Sequence, residues 1–347
     1  MNILSLFSGV GGMDLGLERA GHTIVAMCEI DPHARSILKY HWPDTPIHED
    51  VTTLDGSQYA GRIDLVSGGS PCQDLSVAGQ RKGLDGARSG LFWHQCRVAD
   101  QAAARWVLWE NVPGALSSNN GNDFAAVLWG LTGTYPRVPD GGWNTCGVVV
   151  GPKRWAVWRL LDAQWFGVAQ RRRRVFVVAG AGGPCRPEIL FESEGMFGGV
   201  APSRTPGEEV AALTSTGVGT CGADDNQAQA GHLTFVKAKR ARTDQDDETR
   251  ATVVTIQSFD TQFGSNANVF DNQSPTLKSS QQPPSATTNN GVRRLTPIEC
   301  ERLMGWPDNW TATRHDGKQQ ADSHRYRQIG NGVASNVTEW IGRRLPH

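Results

Sequence analysis

One cysteine stands in a stiff corner of the chain, where its thiol could act as a nucleophile. An apolar run at 63–66 is predicted to be a buried strand, and it stops at Gly68 and Gly69. Pro71 then precedes Cys72. Because proline fixes its own φ and lacks an N–H, it holds the cysteine in a tight turn. A small apolar residue in a turn would fit this position as well, so Cys72 alone decides nothing.

Other reactive groups also follow predicted strands. The strand at 2–7 runs into a glycine-rich turn at 8–12, Glu29 follows a second strand, and Glu110 follows an apolar run. In an open parallel sheet, ligands bind beyond the carboxyl ends of the strands, so these groups would meet Cys72 at one edge. Glycines let backbone amides approach a ligand, and a carboxylate after the second strand can bind a ribose diol.

A thiol and a carboxylate beside a nucleotide pocket indicate covalent catalysis with acid assistance. The glycines at 9–12 do not follow the spacing G-x-G-x-x-G, so a nicotinamide-dependent oxidoreductase, the first alternative, fits poorly. Four arginines, 171–174, run directly into a strand predicted at 175–179. Because side chains alternate along a strand, every second arginine is expected to point inward, where it needs polar or anionic partners.

Helix signals fill the gaps between these strands. Asp31 is predicted to cap a helix that reaches about His41, and a second helix is predicted at about 89–105. Thr296 and Glu299 form a capping box before a third. The stretch 327–334 is predicted to be a glycine turn that opens a last helix, to about residue 343. Alternating strands and helices predict an α/β fold.

Composition narrows the class of protein. The 347 residues carry 34 Lys and Arg against 35 Asp and Glu, so the net charge of −1 gives no global sign of a polyanionic partner. The seven cysteines form no CxxC pair, which favours reduced thiols over disulfides or a metal site. With no apolar run of membrane-spanning length and no signal peptide, we expect a cytoplasmic protein. Residues 180–291 are rich in glycine, proline and polar residues, which predicts a loop-rich region.

Five motifs, taken together and in order, carry a resemblance to a known family. They are Phe7-Ser8-Gly9-Val10-Gly11-Gly12, Ser70-Pro71-Cys72-Gln73, Glu110-Asn111-Val112, Gln170-Arg171-Arg172-Arg173-Arg174 and Gln328-Ile329-Gly330-Asn331-Gly332-Val333. On these motifs, and over nearly its whole length, the chain resembles the DNA (cytosine-5)-methyltransferases, its phage and prophage members in particular.

The resemblance implies a fold and a domain organisation. The fold is the Rossmann-like α/β fold of S-adenosylmethionine-dependent methyltransferases: a mixed, mostly parallel sheet with helices on both faces, plus a smaller, loop-rich target-recognition domain. Residues 1–179 would form the catalytic and cofactor-binding domain, 180–291 the target-recognition domain, and 292–347 a C-terminal segment that returns to the catalytic domain.

The resemblance also implies roles for individual residues. Cys72 would add to C6 of a flipped-out cytosine, and Glu110 would hold or donate a proton at N3. Arg174 would lie near O2 of the base and the thiol, while Arg172 would support the surrounding loop and backbone; all four are taken as catalytic residues. The methyl donor would be S-adenosyl-L-methionine, with S-adenosyl-L-homocysteine as product and no metal.

Two sets of binding residues carry over in the same way. The cofactor set is Phe7, Gly9, Gly11, Glu29, Ile30, Asp50, Val51, Pro71, Leu91, Asn331 and Val333. The DNA set is Gln73, Ser76, Arg81, Lys82 and Arg88. The expected partner is double-stranded DNA bound by a monomer, with a cognate restriction endonuclease as a possible functional partner.

Two further alternatives remain open beside the DNA enzyme. A tRNA cytosine-5 methyltransferase would share the Pro-Cys and Glu-Asn-Val motifs, although the long variable region before Arg293 favours DNA. A non-catalytic DNA-binding relative would lack Cys72, Glu110 or the cofactor loop, and all three are present here.

Overall fold

A computed structural model gives the architecture of the chain. It describes residues 1–71, 90–191, 235–237, 254–259, 269–271, 274, 277, 285–288 and 291–346. No helix in this part of the chain is long and apolar enough to cross a membrane.

The described residues form a main sheet of eight strands and seven α-helices. The strands of the main sheet are β1 Asn2–Leu6, β2 Thr23–Cys28, β3 Ile47–His48, β4 Leu65–Gly68, β5 Trp106–Asn111, β6 Cys146–Val150, β7 Trp155–Asp162 and β8 Arg173–Gly180. The helices are α1 Gly12–Arg19, α2 Pro32–His41, α3 Leu91–Gln101, α4 Asn122–Thr132, α5 Pro297–Leu303, α6 Asp322–Asn331 and α7 Ser335–Gly342.

The main sheet is mixed and mostly parallel at the end that carries the predicted site. Its eight strands lie in the order β3-β2-β1-β4-β5-β8-β7-β6. Pairing is parallel from β3 through β5, and β8, β7 and β6 follow in antiparallel pairs. The carboxyl ends of β1, β2, β4 and β5 therefore share one edge, as the sequence predicts. We call it the catalytic edge.

Apolar side chains from both faces of this sheet are covered by helices. One cluster joins Leu17 of α1 and Ile37 of α2 to Ile341 of α7. The other joins Phe92 of α3 to Phe124 of α4. The sheet thus lies between two helical layers, which confirms the predicted Rossmann-like α/β architecture.

Short strands near 235–294 form a second sheet. They are β9 Phe235–Lys237, β10 Val254–Phe259, β11 Val269–Asp271, β12 Ser285–Thr288 and β13 Gly291–Arg294. Their order is β11-β10-β12-β13, with β9 also paired to β10, and all the pairs are antiparallel.

The end of the chain packs directly on its beginning. Arg19 in the last turn of α1 donates to the Gly305 carbonyl and to the Ser335 hydroxyl, each at 2.9 Å. A Cβ at Gly16 of α1 would collide with Thr338 of α7, so the missing side chain allows the two helices to approach closely. The α1–α7 contact therefore completes one face of the sheet.

The predicted N-caps of α2 and α5 are confirmed, whereas the prediction for the residues before α7 is wrong in part. Asp31 accepts from the backbone N–H of His33 at 2.8 Å, and Thr296 with Glu299 forms the predicted capping box. The prediction of a glycine turn at 327–334 is wrong in part. Residues up to Asn331 belong to α6, and only 332–334 separate α6 from α7. Helical hydrogen bonding overrides the low helix propensity of Gly330 there.

Candidate active site

The loop between β1 and α1 is built from residues with left-handed backbone. Phe7, Gly9 and Gly11 have φ of 54°, 56° and 81°. A Cβ at Gly11 would lie 2.5 Å from the Trp42 ring, whereas one at Gly9 would meet nothing within 4 Å. Packing against Trp42 therefore requires glycine at position 11. At Gly9 the space beside the backbone is open, so a ligand can approach its peptide groups closely.

Glu29 fixes this loop from the end of β2. Its carboxylate accepts from the backbone N–H of Gly9 at 2.7 Å and from that of Asp31 at 2.8 Å. Burial raises the pKa of this carboxyl, and the two backbone hydrogen bonds oppose the rise. Ile30, directly after it, is 73% exposed and offers an apolar surface beside the loop. A carboxylate held in this way has further lone pairs for a ribose diol.

The remaining predicted cofactor residues lie at the ends of other elements. Asp50 accepts from the backbone N–H of Thr52 at 2.8 Å, a bond that lowers its pKa. Pro71 is exposed beyond β4 and Leu91 opens α3. The other three are Val51, which is buried, Asn331, which is exposed at the end of α6, and Val333, which is buried just beyond it.

Glu110 occupies the end of β5, on the catalytic edge. It is 8% exposed and its Oε1 lies 3.1 Å from Nε of Arg174 on the neighbouring strand β8. Burial raises the pKa of this carboxyl, and Arg174 and Arg172 oppose the rise. A Cβ at Gly69 would come within 3.0 Å of the carboxylate, so the segment after β4 passes directly against Glu110.

Two further residues hold the segment that leads to Cys72. The Asn111 amide donates to the Ser70 carbonyl at 2.9 Å, and the Trp109 indole donates to the Ser70 hydroxyl at 3.0 Å. The sequence analysis did not predict these two contacts with Ser70, although the motif Glu-Asn-Val already marked Asn111 as a residue of the site. They fix the backbone one residue before Pro71, beside the buried carboxyl of Glu110.

The arginine run alternates as predicted. Arg171 and Arg173 are exposed, Arg174 reaches Glu110, and Arg172 is only 2% exposed. The Arg172 guanidinium donates to three backbone carbonyl oxygens: Leu277 at 2.8 Å, Gly330 at 2.9 Å and Gly332 at 2.6 Å. The Arg172 side chain therefore contacts backbone and joins the start of β8 to Leu277 and to the end of α6.

Several predicted site residues lie outside the described residues. These are Cys72 and the DNA set Gln73, Ser76, Arg81, Lys82 and Arg88. Their assignments stay predictions. Within the part of the chain that is described, no group of three or more His, Cys, Asp or Glu side chains could hold a metal ion.

Comparison with known proteins agrees with this geometry. The family model for C-5 cytosine-specific DNA methylases matches residues 1–347. A type II methyltransferase of Bacillus subtilis, M2.BsuMI, is 30% identical over 99% of this chain and 75% of its own length. A DNA N-6-adenine-methyltransferase of Escherichia phage P1 is also 30% identical, over 98% of this chain, which spans 60% of that relative.

A solved structure supports the fold. The Dnmt2 methyltransferase of S. pombe superposes with a TM-score of 0.60 at 17% identity, covering 98% of this chain and 97% of its own. The glycine loop held by Glu29 and the buried Glu110 thus lie at strand ends on one edge of this fold. The chain belongs to the family of C-5 cytosine-specific DNA methylases, enzymes that take their methyl group from S-adenosylmethionine.

Proposed function

We propose that the protein transfers a methyl group to C5 of a flipped-out cytosine in a specific double-stranded DNA sequence, through a covalent adduct between Cys72 and C6. The observation that carries this proposal is the buried Glu110 carboxyl, paired with Arg174 at 3.1 Å and lying against Gly69, three residues before Cys72. Base, thiol and acid can then meet at the catalytic edge.

The reaction needs both groups. C5 of cytosine is too electron-poor to attack the methyl sulfonium directly, and addition of a thiolate at C6 makes C5 nucleophilic. After methyl transfer, loss of the C5 proton and β-elimination of the thiolate restore the ring and release Cys72. A proton held at N3 stabilises the charge that addition creates. Burial raises the pKa of the Glu110 carboxyl, which favours the protonated form that this role needs. Arg174, paired with it, would orient the carboxyl, face O2 of the base and favour the thiolate of Cys72.

The residues around Glu29 fit the methyl donor. S-adenosylmethionine supplies an electrophilic methyl group on a sulfonium. In the proposed arrangement, Glu29 accepts from the ribose hydroxyls, Ile30 packs against the adenine, and the backbone at Gly9 borders the open space of the loop. Asp50, Val51, Pro71, Leu91, Asn331 and Val333 would complete the walls of the cofactor site.

DNA binding is assigned to regions that surround the catalytic edge. A base inside a duplex cannot reach Glu110, so it must leave the stack. Residues 1–179 form the proposed catalytic domain, 180–291 the target-recognition domain, and 292–347 the segment that returns to the catalytic domain. Phosphate and base contacts are proposed for Gln73, Ser76, Arg81, Lys82 and Arg88. The same proposal has the protein act on DNA as a monomer, with or without a cognate restriction endonuclease as its functional partner.

Sequencing of methylated bases tests the proposal. Plasmid DNA from cells that express the wild type should carry 5-methylcytosine in one fixed sequence context. Cys72→Ala should abolish the modification. Cys146→Ala is the matched control, because Cys146 is an exposed thiol in β6, remote in the sheet order from β4. N6-methyladenine in place of 5-methylcytosine, as the name of the phage P1 relative suggests, would overturn the cytosine assignment.

Assays of S-adenosylmethionine binding and of tRNA methylation on the purified protein separate the remaining alternatives. Folded protein that binds S-adenosylmethionine, leaves DNA unmodified and methylates tRNA would be an RNA enzyme. Folded protein that modifies neither nucleic acid would be a regulatory relative. Retained turnover by Cys72→Ser would refute the nucleophile, whatever the substrate.

A further inference from the structure

A pocket on the outer side of the arginine run has no role in the chemistry above. It has a volume of about 220 Å³ and opens to solvent beside the start of β8. Its lining residues are Thr145, Leu160, Asp162, Trp165, Arg171 and Arg173. We call it the arginine pocket.

The lining of the arginine pocket is positively charged, because it holds two arginines and only one acidic residue, Asp162. The Asp162 carboxylate already accepts from the Arg172 backbone N–H at 2.9 Å and from the Gln164 amide at 2.8 Å. The two guanidinium groups, on Arg171 and Arg173, are exposed. Among the described residues, no hydrogen bond or ion pair engages the Arg173 side chain. The pocket therefore offers at least one available guanidinium to an anion.

Its position ties it to the catalytic edge. Arg173 pairs with Asp162 across β8 and β7, and lies beyond Val175, which pairs with Asn111 at the end of β5. Its Cα is about 3.8 Å from that of Arg174, which contacts Glu110. Because neighbouring side chains on a strand point to opposite faces, Arg174 faces the base site while Arg173 faces the arginine pocket.

We propose that the arginine pocket binds a backbone phosphate of the DNA strand that carries the flipped base. This inference rests on the proposed function and adds a contact within it. A guanidinium matches the two free oxygens of a phosphodiester in a bidentate pair, and the Thr145 hydroxyl in the same lining can donate to that group. Trp165, half-buried, supplies a flat apolar surface for the adjoining sugar. The contact anchors the strand immediately beside the point where the base leaves the duplex.

Arg173→Gln tests this assignment, with Arg62→Gln as the matched control. Arg62 is also exposed, but it lies before the amino end of β4, at the end of the strands opposite to the catalytic edge. The control therefore removes the same charge at a place away from the site. The probe is a fluorescent unmethylated duplex that contains the methylated sequence, measured by anisotropy at several salt concentrations. Arg173→Gln should weaken binding about five- to tenfold and reduce the slope of log K against log salt by about 0.9. Arg62→Gln should change neither, and both variants should bind S-adenosylmethionine as the wild type does.

A second variant tests the pocket at another lining residue. Thr145→Asp puts a negative charge into the lining at an exposed position, and it should weaken DNA binding at least as much as Arg173→Gln. Wild-type affinity and salt slope in both variants would overturn the inference and leave the proposed function standing. A wild type that binds and methylates no duplex DNA overturns the proposed function first, and the inference with it.

Discussion

The buried carboxyl of Asp14 should make the stability of this protein fall as the pH rises toward neutrality. Asp14 lies in the first turn of α1, behind the cofactor loop, and is completely buried. Burial raises its pKa from 3.8 to about 7; Glu18 adds to the rise and the Ser5 hydroxyl opposes it. Below pH 3.8 the carboxyl is protonated in the folded and the unfolded chain alike, so it has no effect on stability.

Between these two pKa values only the unfolded chain ionises. Each pH unit then costs the folded state about 1.4 kcal/mol, so the penalty reaches up to about 4 kcal/mol near pH 7 and is constant above it. Asp14→Asn keeps the shape of the protonated acid and removes this penalty. We expect the variant to match the wild type near pH 4 and to exceed its Tm by up to about 5 °C at pH 8.

Differential scanning fluorimetry from pH 4 to 9 measures the effect. Asp123→Asn is the control, because Asp123 is buried in the first turn of α4 but accepts from the Ser118 hydroxyl and the Asn119 amide. Its replacement should lower the Tm at pH 8, the opposite sign. Parallel pH profiles for wild type and Asp14→Asn would show that Asp14 is already ionised at little cost, and would refute the reasoning.

Three further substitutions test the site. Glu29→Gln should weaken S-adenosylmethionine binding roughly tenfold or more by calorimetry, because a carboxylate that anchors Gly9 is lost; unchanged affinity would remove Glu29 from the cofactor site. Glu110→Gln should lower kcat by about 10²- to 10⁴-fold with cofactor affinity preserved, and wild-type turnover would exclude it as the acid. Arg172→Gln should lower stability by about 3–5 kcal/mol, seen as a lower Tm, because three carbonyl oxygens lose a charged donor; an unaltered Tm would show that the clamp is dispensable.

The arrangement of the site along the sheet could be predicted because it depends on local rules. Strand, turn and helix signals place Gly9, Glu29 and Glu110 at strand ends, and parallel pairing then brings these ends to one edge. The alternation of the arginines followed in the same way from the period of a strand, and the buried Arg172 confirms it.

Contacts between distant parts of the chain could not be predicted. Nothing in the arginine run says that Arg172 binds the carbonyls of Leu277 and Gly330, which follow it by more than a hundred residues. Likewise, Gly11 could be read as a ligand-binding glycine, yet the Trp42 ring also requires it. Such pairs depend on the completed fold, and the local pattern is the same with or without them. For the same reason the glycines near 330 predicted a turn where the structure has a helix end.

The contact between α1 and α7 has a consequence for how the protein is made. The two helices start at residues 12 and 335, so roughly 320 residues must be synthesised after α1 before its cover exists. At about 5–20 residues per second, this takes roughly 15–65 s on the ribosome. Throughout that time Met13 and Leu17 of the nascent chain lack the apolar partners Val337 and Ile341. Early strands can pair during translation, but this face of the sheet is covered only when α7 emerges, so the nascent chain is a natural client for chaperones that shield apolar surface.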